Sequence, residues 1–315
     1  MYDTPIFRSE FKVISHELIH ALPKVILGES GDAAYMQSRV QQLADDHAAY
    51  FECTVPHEDI ERAISVAEQA PFTVGILERI DDSSHYTDRS RTPVVVGFST
   101  QSAEIAAVLR ENLVPFEFDG SVADQVRVGG ASRIIHGIGL FEDFRFEDDD
   151  IVPGRLSAWV RDRDYPVLVE PFADLENGEV AELADHPLPL MSKLGYRTAS
   201  SILSTDRLLE LTEYLELQIE DLFELTRDAV AVSLLPQPLR VQLWEELVFP
   251  FFEQLGEGFA DDSTTDDAES TTELRSEREH AGHVHTDHHG GAAGLEGVDP
   301  QFLDEMGIEF DDLDL

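Results

Sequence analysis

The chain has 315 residues, of which 64 are acidic and 22 basic, so its formal net charge at neutral pH is −42. Because 42% of its residues are hydrophobic, it holds enough apolar side chains for one large domain or two ordinary ones, and a wholly disordered acidic protein is excluded. Cys53 is the single cysteine, which excludes an internal disulfide. We find no signal peptide and no apolar stretch of about 20 residues, so we expect a cytoplasmic protein without a membrane span.

The basic residues show a second bias, because the only lysines are Lys12, Lys24 and Lys193. At molar salt the Debye length falls to about 3 Å, and repulsion among surface carboxylates is then largely screened. An acidic composition poor in lysine resembles that of cytosolic proteins from halophilic archaea. That resemblance implies a protein adapted to high salt.

Residues 1–48 are predicted to be mostly helical, with a break at 28–31. The segment from His16 through Glu17 to His20 matches the H-E-x-x-H pattern, in which two histidines on one helical face bind zinc and the glutamate activates water. This pattern resembles that of zincin metallopeptidases. Pro23 follows closely, and few residues precede the helix where zincins place a sheet, so an amphipathic helix with exposed histidines is the favoured interpretation.

Residues 49–120 alternate between the patterns of strands and helices. Their order is β-α-β-β-α-β, which resembles a ferredoxin-like unit and implies an α+β fold. The run 94–98 is apolar without interruption, which predicts a strand buried on both faces. The next segment, or a second subunit in a homodimer, would then cover the open face of the sheet. We predict strands at 49–55, 72–76, 94–98 and 114–118, and helices after Pro56 and after Ser99.

Two further segments complete the predicted folded part: a β-rich extension at 121–186 and a helical subdomain at 187–257. Within the latter, 190–226 is weakly similar to helix-turn-helix domains of the Cro/CI type. Arg197 and Arg207 lie in this segment, and glutamates surround them. Because binding to phosphates depends on a positive face, nucleic acid is the less favoured partner.

Residues 258–296 have the composition of an acidic, histidine-rich linker. Clustered imidazoles on a flexible chain capture Ni²⁺ or Zn²⁺ through ligand density alone. We therefore expect adventitious metal binding in this linker and no functional cofactor. The histidines concerned are His280, His283, His285, His288 and His289.

Residues 297–315 regain apolar side chains and are predicted to form a docking peptide for a protein partner. Phe302, Met306 and Phe310 recur every four residues, as on one face of a helix that binds in a groove. Ile308 and Leu313 add to the apolar surface. In composition the peptide resembles the acidic C-termini of single-strand DNA-binding proteins, which implies a partner protein.

The sequence contains no Ser-His-Asp or Cys-His arrangement with a recognisable spacing and no phosphate-binding glycine loop. It therefore favours a non-enzymatic regulatory or adaptor protein that binds a protein partner or a small ligand. A helix-turn-helix transcriptional regulator built on 190–226 is one alternative. A zinc-dependent hydrolase that uses His16, Glu17 and His20 is the other.

Overall fold

The structure is a computed structural model and describes residues 5–8, 13–147, 150–201 and 204–258. These residues all lie within the first of two compact units, Met1–Asp262. In this described part, no helix is both long enough and apolar enough to cross a membrane.

The described elements follow one another along the chain as strands and helices in rough alternation. The strands are β1 (Ile6–Phe7), β2 (Lys24–Ser30), β3 (Ala48–Pro56), β4 (Thr73–Arg79), β5 (Val95–Thr100), β6 (Phe116–Phe118), β7 (Arg145–Glu147), β8 (Asp150–Val152), β9 (Val167–Val169), β10 (Thr198–Ser200) and β11 (Gly256–Gly258). The helices are α1 (His16–Ala21), α2 (Ala33–Asp45), α3 (Ile60–Glu68), α4 (Ala103–Glu111), α5 (Val122–Asp124), α6 (Arg155–Asp162), α7 (Pro171–Glu176), α8 (Leu188–Lys193), α9 (Thr205–Tyr214), α10 (Ile219–Val232), α11 (Gln237–Leu243) and α12 (Phe249–Leu255).

The centre of the fold is a curled sheet of five parallel strands in the order β2-β3-β4-β5-β6. Short segments continue it: Ser132 N donates to Phe116 O at 2.8 Å, and Ile134 forms a parallel bridge with Val167 of β9. Strand β9 then pairs in parallel with β10. Parallel strands that lie side by side in chain order are the arrangement of a β/α barrel, in which all carboxyl ends open at one mouth.

Burial on both faces explains the composition of the central strands. Phe51 and Cys53 of β3 belong to a buried cluster with residues of α2 and α3, such as Met36. Tyr50 points to the opposite face of the strand and belongs to the cluster that also contains Leu77 of β4 and other barrel residues. Each such strand separates the helices outside from the barrel interior, so apolar residues occur on both of its faces.

The prediction of a ferredoxin-like α+β unit at 49–120 is wrong. The strands lie close to the predicted positions, but they pair in parallel and in chain order, as in the pairing of Leu77 with Gly97. The cause is the connection between β4 and β5, in which a 3-10 turn at Ser83–His85 replaces the usual crossover helix. The absence of a helix between the two strands predicted an antiparallel pair, because parallel strands need a long crossover connection that usually contains a helix.

Other predicted segments also differ from the structure. Strand β2 lies in the part that was predicted to be helical, and the supposed β-rich extension contains α5, α6 and α7. The helix-turn-helix interpretation of 190–226 is wrong because β10 runs through that segment and pairs with β9. A short apolar run does not by itself distinguish a buried strand from a buried helix.

The uninterrupted apolar strand β5 is buried by this chain itself, with Val96 and Phe98 6% and 2% exposed. Phe98 packs in one cluster with Ile105 and Leu109 of α4. Burial of both faces therefore does not require a second subunit, and the homodimer stays a prediction. The proposed division into segments beyond the ferredoxin-like unit stays a prediction as well.

Candidate active site at the barrel mouth

Three polar side chains meet where neighbouring strands end at the barrel mouth. Asp119 follows β6, His136 follows the segment 132–135, and Glu170 follows β9. The Nδ1 atom of His136 lies 2.8 Å from Glu170 Oε2, and its Nε2 atom lies 3.7 Å from Asp119 Oδ1. Catalytic groups of β/α barrels come from these strand ends, so the three residues form a candidate active site.

The backbone turns sharply at His136, which has a φ of +54°. A residue other than glycine is uncommon in this left-handed region, and such residues cluster at functional sites. Gly137 follows, and a β-carbon there would lie 2.3 Å from Val167 Cγ1. The glycine therefore lets the chain leave the barrel against β9, which directs the imidazole toward the mouth.

Electrostatics favour the charged form of His136. The hydrogen bond to Glu170 is the main reason that the pKa of His136 is raised above its ordinary value, and the charges of Asp119 and Asp174 act in the same direction. The side chain of His136 is 55% exposed and that of Glu170 only 16% exposed. The site therefore presents a solvent-accessible imidazole whose protonated form is stabilised by a largely buried carboxylate.

A second buried pair lies behind Glu170. Asp174 N, in the first turn of α7, donates to Glu170 O at 2.8 Å, and Asp174 Oδ2 lies 3.0 Å from His186 Nε2. Leu188 N donates to His186 Nδ1, so the ring proton lies on Nε2 and is donated to Asp174. Asp119 is held too, since its Oδ2 accepts from Gln101 Nε2 at 2.7 Å.

Beneath the mouth, Arg133 anchors the segment that carries His136. This arginine is 1% exposed; its Nε donates to Glu117 Oε1 at 2.7 Å, and it also donates to Glu52. Tyr50 donates its hydroxyl to Glu52 at 2.8 Å. Burial raises the pKa of Glu117, although the Arg133 charge opposes this shift. The ionic network ties the 132–135 segment to β3 and β6 and so fixes the position of the imidazole.

A cavity of about 480 Å³ lies beside His136. Its lining includes Ser121, Arg127, Ile138 and Glu179. Cavities of several hundred cubic ångströms hold small organic ligands in proteins. A proton-carrying imidazole beside such a cavity suits general acid catalysis on a small molecule.

The two histidines of the H-E-x-x-H pattern lie elsewhere. Helix α1 carries His16 and His20, with ring centroids 6.2 Å apart, and leads into the amino end of β2. His16 Nε2 lies 3.5 Å from Asp206 Oδ1, and His20 Nδ1 lies 3.5 Å from Asp46 Oδ1. The pattern is therefore remote from the barrel mouth, and metal binding by His16 and His20, like the role of Glu17, stays a prediction.

The remaining predicted site residues lie outside the described residues. They are the linker histidines His280, His283, His285, His288 and His289, and the docking residues Phe302, Met306, Ile308, Phe310 and Leu313.

The sequence analysis missed the three residues of the mouth. A usable signal was present, because Ile134 and Ile135 are followed by His136 and a glycine. In the same way, the apolar 167–169 is followed by Glu170 and a proline. A short apolar strand that ends in a polar residue and a turn former is typical of a barrel's catalytic edge.

Comparison with known proteins relates the chain to deaminases, although no known family profile matches it. An adenosine deaminase of Mycobacterium sp. (strain JLS) is 26% identical over 188 residues, which cover 51% of this chain and 52% of that protein. An adenosine deaminase of Mycobacterium marinum is 25% identical over 190 residues, 52% of each chain. The chain thus spans about half the length of the curated relatives it matches.

Solved structures share the fold. A zinc-bound amidohydrolase from Burkholderia ambifaria superposes with a TM-score of 0.60 at 13% identity, covering 80% of this chain and 97% of the other. The adenine deaminase of Arthrobacter aurescens gives 0.55 at 15% identity and covers 68% and 77%. The N6-methyl-AMP deaminase of Arabidopsis thaliana gives 0.55 at 12% identity and covers 76% and 98%. The fold is that of the adenosine-deaminase-like amidohydrolases.

These likenesses correct several predictions. The relatives and fold neighbours are named as enzymes, which contradicts a non-enzymatic regulatory or adaptor protein and a transcriptional regulator. The expectation that no cofactor belongs to this protein is contradicted as well, because the Burkholderia structure contains zinc. An origin in a halophilic archaeon finds no support among relatives that come from mycobacteria.

The residues at the mouth do not fit a zinc centre. A catalytic zinc site uses three protein ligands with free electron pairs that converge on one point. Here both ring nitrogens of His136 face carboxylates, Glu170 on one side and Asp119 on the other. In the described ranges, no group of three or more His, Cys, Asp or Glu side chains is arranged to hold a metal ion. The chemistry below therefore contains no step through a metal.

Proposed function

We propose that this protein is a hydrolase of the deaminase type that replaces the exocyclic amino group of a purine by oxygen from water. The pairing of His136 Nδ1 with Glu170 at 2.8 Å, at the carboxyl end of a parallel barrel, is the observation that carries the proposal. Its location supports a catalytic role, because strand ends of this kind supply the catalytic groups of β/α barrels. The named activities of the relatives and fold neighbours support the type of reaction.

The reaction forms one C–O bond and breaks one C–N bond. Water adds to the ring carbon that bears the amino group, and ammonia leaves, so the purine becomes the corresponding oxo compound without oxidant or reductant. One proton must leave the water and one must reach the departing nitrogen. The site therefore needs a base and an acid that both reach the reacting centre.

His136 is the proposed acid, and Asp119 the proposed base. The hydrogen bond to Glu170 raises the pKa of His136 and so favours the protonated imidazole, which donates its proton to the ring or to the departing nitrogen. Asp119 is 34% exposed at its side chain and accepts the proton of the attacking water through Oδ1, while Gln101 holds Oδ2. Glu170 orients the imidazole and stabilises its charge.

The test is ammonia release by the full chain from adenine, adenosine, AMP and N6-methyl-AMP, in a buffer of high ionic strength. We expect release from at least one of these purines, and a loss of at least about a hundredfold in His136→Gln and in Asp119→Asn. His57→Gln is the matched control, because His57 Nδ1 also pairs with a glutamate, Glu78, at 2.6 Å but lines neither the cavity nor the proposed site. Equal loss in all three variants, or no release by the wild type, would refute the proposal.

A cytoplasmic location belongs to the same proposal. Cys53 is the single cysteine of the chain and is buried as a free thiol, so the fold needs no oxidising compartment. Purine nucleosides and nucleotides are also abundant inside cells. Fractionation of cells that express the full chain tests this location.

A further inference from the structure

We propose that the amino end of the barrel, opposite the candidate active site, binds an amphipathic organic carboxylate beside Arg240. This inference does not depend on the proposed deaminase function, because the site lies at the other end of the strands. The observations that carry it are a large cavity, an arginine without an acidic partner, and an exposed leucine whose backbone is strained.

A cavity of about 820 Å³ lies at this end of the barrel and is larger than the cavity of about 480 Å³ beside His136. Its wall contains Val95 at the start of β5, Pro115 immediately before β6, and Leu234, which follows α10. Leu234 N donates to the buried Glu52 Oε2 at 3.0 Å, so this part of the wall is fixed to the barrel interior. Cavities of about 300–1,000 Å³ hold small organic ligands.

Much of the wall is apolar. The rings of Tyr86 and Phe98 lie side by side in it, with centroids 5.6 Å apart. The segment after α10 adds Leu235 and Pro236, and Val114 lies before β6. A cavity with such a lining suits the apolar body of a ligand, and the few polar side chains then determine what its head group is.

Arg240 brings a positive charge to this cavity. Its Nη1 donates to Ala231 O, near the carboxyl end of α10, at 2.8 Å, whereas its Nε is buried and has no hydrogen-bond partner among the described residues. Burial lowers the pKa of Arg240, and the charge of Arg197 acts in the same direction. The reverse holds at Arg39, where the hydrogen bond with Glu29 raises the pKa. Arg240 therefore lacks the carboxylate that would compensate its desolvation, and an anion in the cavity supplies one.

The other charges of the cavity favour a ligand with a single negative charge. Arg89 lines the cavity, but it donates to Glu78 through Nε at 2.9 Å and to Glu61 through Nη1 at 3.0 Å, so its charge is compensated within the chain. Asp88 lines the cavity as well and repels further negative charge. A phosphate monoester carries about 1.5 to 2 negative charges near neutral pH, whereas a carboxylate carries one. The balance beside Arg240 therefore favours a carboxylate.

Leu113 lies at the edge of the cavity in an unusual state. It follows α4 with a φ of +55°, and its side chain is 91% exposed. Glycine usually occupies such a position after a helix, because a bulky side chain is strained in the left-handed region. Strained residues of this kind occur at sites that clamp ligands. An apolar ligand in the cavity would cover Leu113, which the described part of the chain leaves open to solvent.

Calorimetric titration of the full chain with octanoate, in a buffer of high ionic strength, tests the inference. We expect one site per chain, no binding of acetate in the same range, and binding of 1-octanol that is at least about tenfold weaker, because hydrogen bonds to charged groups contribute on that scale. Arg240→Met should weaken octanoate binding about tenfold while it keeps an apolar stem. Arg62→Met is the matched control, because Arg62 is 70% exposed, contacts Asp59 and does not line the cavity.

Leu113→Gly distinguishes a ligand contact from a role in the fold. Glycine adopts a positive φ without strain, and the leucine side chain is exposed, so the melting midpoint without ligand should not fall. The affinity for octanoate should nevertheless fall about threefold or more, because apolar contact area is lost. A variant that melts earlier than the wild type and binds octanoate equally well would show that Leu113 serves the fold alone, which would contradict the inference.

The remaining outcomes also decide the question. Equal affinities for 1-octanol and octanoate, or wild-type binding of octanoate by Arg240→Met, would overturn the site. Tighter binding of octyl phosphate than of octanoate would overturn the assignment to a carboxylate. Adenosine should not displace octanoate, and displacement would place the ligand at the barrel mouth and refute the inference. Octanoate binding without any ammonia release from purines would support this site and refute only the proposed function.

Discussion

At the scale of single residues, the candidate active site at the barrel mouth is built around one imidazole that lies between two carboxylates. His136 contacts Glu170 and Asp119 through different ring nitrogens, and Asp174 adds a third negative charge nearby. A group that is more easily protonated in the folded state stabilises the fold while it is charged. The pH dependence of stability therefore reports on this pair.

We predict that His136→Gln loses a stability contribution that depends on pH. The pKa of His136 is raised from 6.5, so the contribution is complete below about pH 6.5 and disappears as the pH rises through the folded-state pKa. The difference in unfolding free energy between wild type and variant, measured by denaturant titration, should be larger at pH 6 than at pH 9. Because the imidazole is 55% exposed, solvent screening keeps the difference small.

Glu170→Gln serves as the control for this experiment. It should remove the same pH dependence, and the double variant should behave like either single variant, because both substitutions break one interaction. A wild type and His136→Gln that differ by the same amount at both pH values would show that the pair does not favour the charged imidazole.

The buried network provides a second prediction. Arg133→Met leaves the carboxylates of Glu52 and Glu117 buried without their guanidinium, which should destabilise the protein by about 3–5 kcal/mol. Chemical unfolding at constant salt measures this change. Arg127→Met, at an exposed arginine without a partner among the described residues, should change stability by about 0.5 kcal/mol or less. Equal effects of the two substitutions would contradict the role assigned to Arg133.

At the scale of elements, β2 lies close to β9 and to the residue that follows β10. Gly28 of β2 has a φ of +82°, and a β-carbon there would lie 3.1 Å from Leu168 Cδ2 and 3.5 Å from Ser201 Cβ. Gly178 has a similar φ of +78° but no atom within 4 Å of such a carbon. A comparison of alanine substitutions at the two glycines therefore distinguishes the cost of backbone strain from the cost of crowding.

We predict that Gly28→Ala destabilises the protein more than Gly178→Ala. The left-handed backbone alone should cost about 1–2 kcal/mol in both variants, and crowding against β9 adds to this only at Gly28. Unfolding midpoints at equal protein concentration give the comparison. Equal losses would mean that β2 and β9 are not packed together as the structure shows.

The elements also show how far the sequence alone leads. Strands β3 to β6 were predicted close to their positions because alternation and apolar runs are local signals. Their parallel pairing was not predicted, because buried apolar runs occur in parallel and antiparallel strands alike. In addition, the 80–94 connection lacks the α-helix that marks a parallel crossover. The site was missed for a similar reason. Asp119, His136 and Glu170 are distant in sequence, and only the parallel order of their strands brings them together.

At the scale of the whole molecule, the net charge of −42 controls stability through repulsion among surface carboxylates. This argument depends on charge alone and not on the organism. We predict that the melting midpoint falls when KCl is reduced from about 2 M to about 0.1 M, where the Debye length grows to about 10 Å. Circular dichroism follows the transition, and sodium chloride at equal ionic strength checks that the effect is one of screening and not of the potassium ion. A midpoint that is constant or higher at low salt would refute this account.

The central claim is that the barrel mouth carries out hydrolytic deamination around His136. The most direct measurement is mass spectrometry of the purine product after one turnover with excess full-length protein in water enriched in heavy oxygen. We predict that the purine from which ammonia is released is converted to an oxo product that carries one heavy oxygen in place of its amino group, and that His136→Gln forms none while His57→Gln forms it normally. An unchanged purine after prolonged incubation with the wild type, or labelled product from His136→Gln at the wild-type rate, would contradict the claim.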